Sequence, residues 1–298
     1  MKKSILILLC CLCFNLWAFQ KVSLPKELVA IEKSYPQAHI STLYNYEIQD
    51  WIITVNGKVM RWAEGRILPI KSNYKANEWR KIVDYEYASA IPNPEAYSPQ
   101  EIEALSRNRI LGTQSAKPPY FLAFHDALYD GINRVAVEKH IKTTSFLGKQ
   151  VNCHEVIIPL LKEIEMEIYA LEDTEKKAKI SPIDGTVQYF VAQLSEVHGY
   201  AWRDIEGTES RSFHSWGIAI DVLPKGWNSK NMYWQWSSEW NDKWMLIPLS
   251  RRWMPPDQVV QVFEKHGFIW GGKWALWDTM HFEYRPELIY LRDNKGLQ

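Results

Sequence analysis

The sequence predicts an α+β protein, on three observations. Two β-rich runs meet at Asn56-Gly57, a long amphipathic helix pattern covers 154–179, and a short apolar strand pattern lies at Ile218–Val222. The C-terminal part is expected to form the larger unit, preceded by a smaller N-terminal module containing the β-hairpin. The chain has 298 residues, 46% hydrophobic and 23% charged, a balance that fits a folded core and excludes disorder. Lys plus Arg and Asp plus Glu are equal at 35 each, so no basic surplus points to nucleic acid.

Residues 1–18 read as a signal peptide. Met1-Lys2-Lys3 is a basic start, Ile5 to Leu16 is almost wholly apolar, and Ala18 offers a small residue at a cleavage site. An uncleaved anchor is the alternative, but the apolar run is shorter than a bilayer-spanning helix. Three of the four cysteines, Cys10, Cys11 and Cys13, lie in this leader. Only Cys153 remains after cleavage, so the mature chain has no intramolecular disulfide, and Cys153 is expected as an apolar filler. Export to the periplasm or cell envelope follows from this reading, with no stable membrane insertion once the leader is removed.

Residues 19–98 are expected to form the N-terminal module. Pro25 to Tyr35 reads as a short helix, then Tyr46–Val55 and Lys58–Trp62 as strands joined by Asn56-Gly57. Residues 69–99 lose periodicity and carry four prolines, which marks irregular structure. A helical connecting region, 99–150, opens at Ser98-Pro99-Gln100-Glu101, a capping box with Pro in the first turn. A second short helix at Phe121–Leu128 stops before Gly131. His39, His125, His140 and His154 read as satisfied core or surface histidines without ligand-like companions.

In the helix at 154–179, Ile157, Leu160, Leu161, Ile164, Ile168 and Leu171 recur at three and four. Its acidic residues through Glu175 read as a solvated face. Val187–Leu194 reads as a strand, and His198–Ile205 as a strand carrying Arg203. Pro255–His266 reads as a helix, Gly271-Gly272 as a tight turn, and 293–298 as a tail.

The chemistry concentrates in Ser212–Asp221 and Trp277–Tyr284. His214, Asp221 and His281 offer two nitrogens and a carboxylate, a three-ligand set for zinc that leaves one position open. Asp278, three residues before His281, is placed to act as a base. Glu283 is expected either to support His281 or to form a plain salt bridge. Arg203 either binds a substrate carboxylate or oxyanion, or pairs with Asp204 or Glu206. Each spacing alone is a weak signal, and a structural metal site fits the same residues.

Taken together, Ser212-Phe213-His214-Ser215-Trp216-Gly217-Ile218-Ala219-Ile220-Asp221 and Asp278-Thr279-Met280-His281-Phe282-Glu283-Tyr284 resemble the M15 zinc peptidases, the family of D-alanyl-D-alanine carboxypeptidases and L-alanyl-D-glutamate endopeptidases. The family's Ser-x-His-x2-Gly-x-Ala-x-Asp and acidic-x2-His patterns are both met. The resemblance implies one Zn2+ on His214, Asp221 and His281, with Asp278 as catalytic base. It assigns Arg203 to substrate or transition-state binding, and Ser212 and Trp216 are expected as further substrate contacts. It also implies helices packed on a mainly antiparallel sheet over a domain at 151–292, with peptidoglycan peptides as substrate. An insert from Gly226 to Trp244, rich in tryptophan, departs from the pattern and either walls a groove or packs the fold. Residues 19–150 carry no motif that extends this resemblance, and they are expected to position the enzyme, shield the groove or bind an envelope protein partner. Carboxypeptidase action is the first expectation; endopeptidase action and a non-catalytic envelope-binding protein are the alternatives.

Overall fold

Helix α1 (Lys26–Ser34) turns Leu28, Ala30 and Ile31 inward and delivers the chain to a four-stranded antiparallel sheet. Its strands are β1 (Ser41–Asn45), β2 (Asp50–Val55), β3 (Lys58–Arg61) and β4 (Leu68–Pro69), in that order. The computed structural model describes residues 22–71, 74–110, 118–205 and 210–296; the expected leader, with Cys10, Cys11 and Cys13, lies outside them, as does Glu206. Asn56 and Gly57 both take positive φ, 46° and 78°, as a tight hairpin turn between twisted strands requires. The expected run from Tyr46 to Val55 is divided. The Asn45 side chain accepts from the Glu47 and Ile48 amides, at 2.9 and 3.3 Å, and turns the chain before β2 begins.

Helix α2 (Pro99–Ile110) opens with the expected capping box: the Glu101 amide donates to Ser98 Oγ, and the Ser98 amide donates to the Glu101 carboxylate. Helices α3 (Ala123–Tyr129) and α4 (Arg134–Glu138) lead into a hairpin of β5 (Ile141–Phe146) and β6 (Lys149–His154). That hairpin straddles the expected boundary at 150/151. Helix α5 (Ile158–Lys177) buries Leu161, Ile164 and Ile168, following the periodicity.

Two expectations fail just beyond α5. Val187–Gln193 is helix α6, not a strand. Thr186 caps it by accepting from the Tyr189 amide, and the Glu175 carboxylate accepts from the Val187 and Gln188 amides at 3.0 and 2.8 Å. Satisfying those first-turn amides, with negative charge at a helix N-terminus, outweighs the local β propensity. Glu175 is consequently buried rather than on a solvated face.

A second antiparallel sheet carries the C-terminal half: β7 (Leu194–His198), β8 (Ala219–Pro224), then, after helices α7 (Trp234–Ser238) and α8 (Asp257–Lys265), β9 (Phe268–Trp270) and β10 (His281–Tyr284). The order is β7-β8-β10-β9. Helix α9 (Pro286–Asp293) closes the chain and packs on α1. The expected strand His198–Ile205 fails: β7 ends at His198, and the chain through Arg203 is irregular.

One apolar core crosses the expected boundaries at 98/99 and 150/151. It joins Leu28, Ile31, Ile53 and Val55 to Phe124, Leu161, Phe263 and Phe282. Polar contacts tie the same parts. Tyr35 donates to Glu287 Oε2 at 2.5 Å, and the buried Arg285 guanidinium donates to Glu287 and to the Ile82 carbonyl. Cys153 is fully buried, and burial pushes its thiol up to about 12, an inert filler as expected.

Candidate metal centre

Pairing of β8 with β10 sets Asp221 opposite His281, so both side chains rise from one face of the sheet. Ile220 and Phe282 are the next pair and point into the core on the other face. His214 comes from a single-turn helix, Phe213–Trp216, whose start is capped by Ser212 Oγ accepting from the His214 amide. Gly217 ends that turn at φ 68°; a Cβ there would lie 2.7 Å from the His154 nitrogen, whose N–H donates to the Gly217 carbonyl. At the other end of the loop, the Tyr200 amide donates to the Asn152 carbonyl at 2.6 Å. The β5–β6 hairpin thus braces both ends of the segment that presents His214.

The three side chains converge. His214 Nε2 lies 3.2 Å from Asp221 Oδ2 and 3.3 Å from His281 Nδ1, and His281 Nδ1 lies 2.9 Å from Asp221 Oδ1. One ligand atom from each lies within 4.8 Å of the others, and all three residues are buried. The outward nitrogens are engaged by acceptors. His214 Nδ1 donates to the Gly199 carbonyl at 2.6 Å, and His281 Nε2 faces Glu283 Oε2 at 3.2 Å. Protons held on those nitrogens leave lone pairs on His214 Nε2 and His281 Nδ1 aimed at one point, the arrangement of a metal-ligating histidine pair.

The electrostatics agree. Burial works to raise the Asp221 carboxyl, but His214 and His281 override it and hold it well below the usual carboxylate range. Burial works to lower His281, but hydrogen bonds to Asp221 and Glu283 hold it well above its ordinary value. A proton bound in this cluster is what a cation replaces on loading. Two nitrogens and one carboxylate, with an open side, suit zinc.

Asp278 sits in the turn before β10, its amide donating to the Gly271 carbonyl at 3.0 Å. Its Oδ1 is buried without a hydrogen-bond partner among the described residues. Burial pushes this carboxyl up to about 7; the His281 charge opposes the shift and the Asp221 charge adds to it. An orphaned carboxylate oxygen beside the ligand cluster fits a group that handles a proton.

A groove of about 390 Å³ opens over the cluster. Arg203 is exposed on its wall, and its charge acts on Asp278. Ser212 lines the groove, but its hydroxyl serves the cap described above. Trp216, expected as a substrate contact, is instead buried, its Nε1–H donating to Asp126 Oδ1 at 3.0 Å. The tryptophan-rich insert divides between its two expected roles. Trp227, Tyr233 and Trp236 wall the groove, Trp244 packs with Trp277 in a separate small core, and Trp234 belongs to that core while also reaching the groove.

The remaining histidines depart from expectation. His125 is buried among Phe124, Phe213 and Trp216 with neither ring nitrogen hydrogen-bonded among the described residues, so it is not satisfied there. His140 does have companions: it stacks on His154 and meets Glu155 at 2.8 Å and Asp130 at 3.5 Å. His154 is capped on both nitrogens, by the Tyr129 carbonyl and the Val156 amide, so this quartet has no converging lone pairs. Two contributors to the site were invisible in the sequence. The Gly199 carbonyl has no residue-type signature. Arg285, whose guanidinium lies 3.6 Å from Glu283, is placed only by the fold.

Fold and cluster define a metallopeptidase-type centre on an antiparallel sheet. Residues 206–284 match the family described as D-alanyl-D-alanine carboxypeptidase, and this M15-type peptidase domain holds the His/Asp/His cluster consistent with a zinc-metallopeptidase active site. Residues 27–84 match a domain of unknown function. No curated protein and no solved structure matches the chain.

Proposed function

We propose that the protein is a zinc-dependent peptidase that hydrolyses peptidoglycan stem peptides, acting first as a D-alanyl-D-alanine-type carboxypeptidase. The observation that carries this reading is the buried Asp278 Oδ1, without a partner among the described residues, beside the convergent lone pairs of His214, Asp221 and His281. A zinc ion held by those three residues supplies Lewis-acid polarisation of the scissile carbonyl and activation of water. Asp278 Oδ1 takes the proton from the attacking water and delivers it to the leaving amine. Glu283 and the Gly199 carbonyl keep the two imidazoles in the ligating tautomer. Arg203, exposed on the groove wall, binds the terminal carboxylate of the substrate, which is what favours carboxypeptidase over endopeptidase action.

Export rests on the leader read in residues 1–18 and places the mature chain in the periplasm or cell envelope. Among the described residues, no helix is long and apolar enough to cross a membrane. The N-terminal module is proposed to meet an envelope protein partner. The test is incubation of zinc-loaded protein with defined tetra-, penta- and crosslinked muropeptides, with and without chelator, followed by mass spectrometry. Release of terminal D-alanine that stops with chelator is expected. Cleavage inside the stem peptide selects endopeptidase action, and no cleavage of any of them overturns the peptidase reading.

A further inference from the structure

Strand register places a fourth titratable residue in the row of ligands. His198 pairs with Asp221 across β7 and β8, and Asp221 pairs with His281 across β8 and β10. Directly opposed residues in antiparallel strands share a face, with Cβ atoms about 4.5–5.5 Å apart. The row His198–Asp221–His281 therefore crosses three strands on the groove face, while the neighbouring Val197–Val222 pair is buried beneath it. His198 lines the groove yet stays outside the group of converging ligand atoms.

Its surroundings differ from those of the ligands. Asp278 stands at the β9–β10 side of the cluster, tied to Gly271, whereas His198 stands on β7, the opposite edge of the sheet. His198 Nε2 meets Glu196 Oε2 at 2.9 Å, a contact that orients the ring and favours the tautomer with its proton on Nε2. Nδ1 has no hydrogen-bond partner among the described residues and retains its lone pair. Asp278 and His198 both line the groove over the ligand cluster, on opposite sides of it.

We infer that His198 is a substrate-binding residue whose Nδ1 accepts a hydrogen bond from a peptide backbone N–H on the β7 side of the scissile bond. The inference rests on the peptidase reading above and adds to it an acceptor for the substrate main chain. Glu196 is the positioning residue, because it acts only by fixing the ring and its tautomer.

The test uses the full zinc-loaded protein and a stem pentapeptide, with wild type, His198→Ala, His198→Asn and Glu196→Gln. Steady-state kinetics are paired with zinc affinity measured by chelator competition. Loss of one hydrogen bond is expected to raise KM about tenfold in His198→Ala, with kcat changed far less and zinc affinity kept. His198→Asn, which retains an acceptor oxygen, is expected to recover part of the loss, and Glu196→Gln to show a smaller rise. An unchanged KM in His198→Ala overturns the inference while leaving the peptidase reading standing. So does a loss of zinc affinity matching the loss of activity, because it makes the residue a support for the metal. Absence of cleavage by wild type overturns both.

Discussion

Tyr233 stands opposite Asp278 in an antiparallel bridge, flanked by the Trp234 amide donating to the Trp277 carbonyl at 2.9 Å and the Thr279 amide donating to the Met232 carbonyl at 2.7 Å. The insert that carries the aromatic wall is thereby locked in register with the turn that carries the candidate base. A displacement of the insert moves both, so groove shape and base position are one mechanical unit.

The base is the first point to check. Asp278→Ala is expected to lower kcat by about 10²–10⁴-fold while zinc affinity stays near that of wild type. Chelator competition on the variant separates this from loss of a ligand, and retained turnover removes Asp278 from the role of base.

The same residue gives a pH dependence. The base works as a carboxylate, so activity falls as pH drops through its pKa. Burial raises that pKa to about 7, and a bound cation moves it lower. The acid limb of the kcat/KM profile is expected between that value and the usual carboxylate range, and an Asp278→Glu profile with the same limb position argues against the assignment.

Glu283 holds His281 from behind. Glu283→Gln weakens the acceptor for His281 Nε2 and removes the charge that Arg285 faces. A drop of about 10–100-fold in zinc affinity is expected, read by competition with a fluorescent chelator. Unchanged affinity would make Glu283 a structural ion-pair residue only.

The divided insert predicts divided phenotypes. Trp236→Ala, on the groove wall, is expected to raise KM with little change in unfolding free energy. Trp244→Ala, fully buried, is expected to cost about 3–5 kcal/mol of stability through the cavity it leaves. Urea unfolding beside kinetics on both variants separates the two roles, and equal destabilisation would place Trp236 in the core instead.

Acid sensitivity of the fold is expected from His154. Burial, helped by the neighbouring His140 charge, pulls its pKa down to about 4. Unfolded, the ring takes up a proton near pH 6.5, so between those values the unfolded chain binds more protons than the folded one. Stability is full above pH 6.5 and declines as pH falls toward 4, by about 3 kcal/mol from this residue. His125, which burial also holds well below its ordinary pKa, acts in the same direction. Urea unfolding at pH 7.5 and 4.5 is expected to show a shallower loss in His154→Asn than in wild type.

Local rules carried the hairpin at Asn56-Gly57, the capping box at Ser98 and the apolar face of α5, because each depends on residues within a turn or two of one another. They misplaced Val187–Gln193, because the carboxylate that stabilises its first turn arrives from Glu175, on a different helix. They also missed the β5–β6 hairpin, whose backbone bonds reach Gly217 and Tyr200 and brace the metal loop.

The sequence by itself determined the donor set and its class: two histidines, an aspartate and a nearby acid, in two spaced motifs. Only the tertiary structure decided which nitrogen of each ring faces the cluster, that Trp216 is spent on the core, and that His198 falls in line with Asp221 and His281. The physical reason is that residue type fixes what an atom can donate or accept. Which atoms meet depends on strand register and on backbone carbonyls such as that of Gly199, and neither leaves a mark in the identity of the residues concerned.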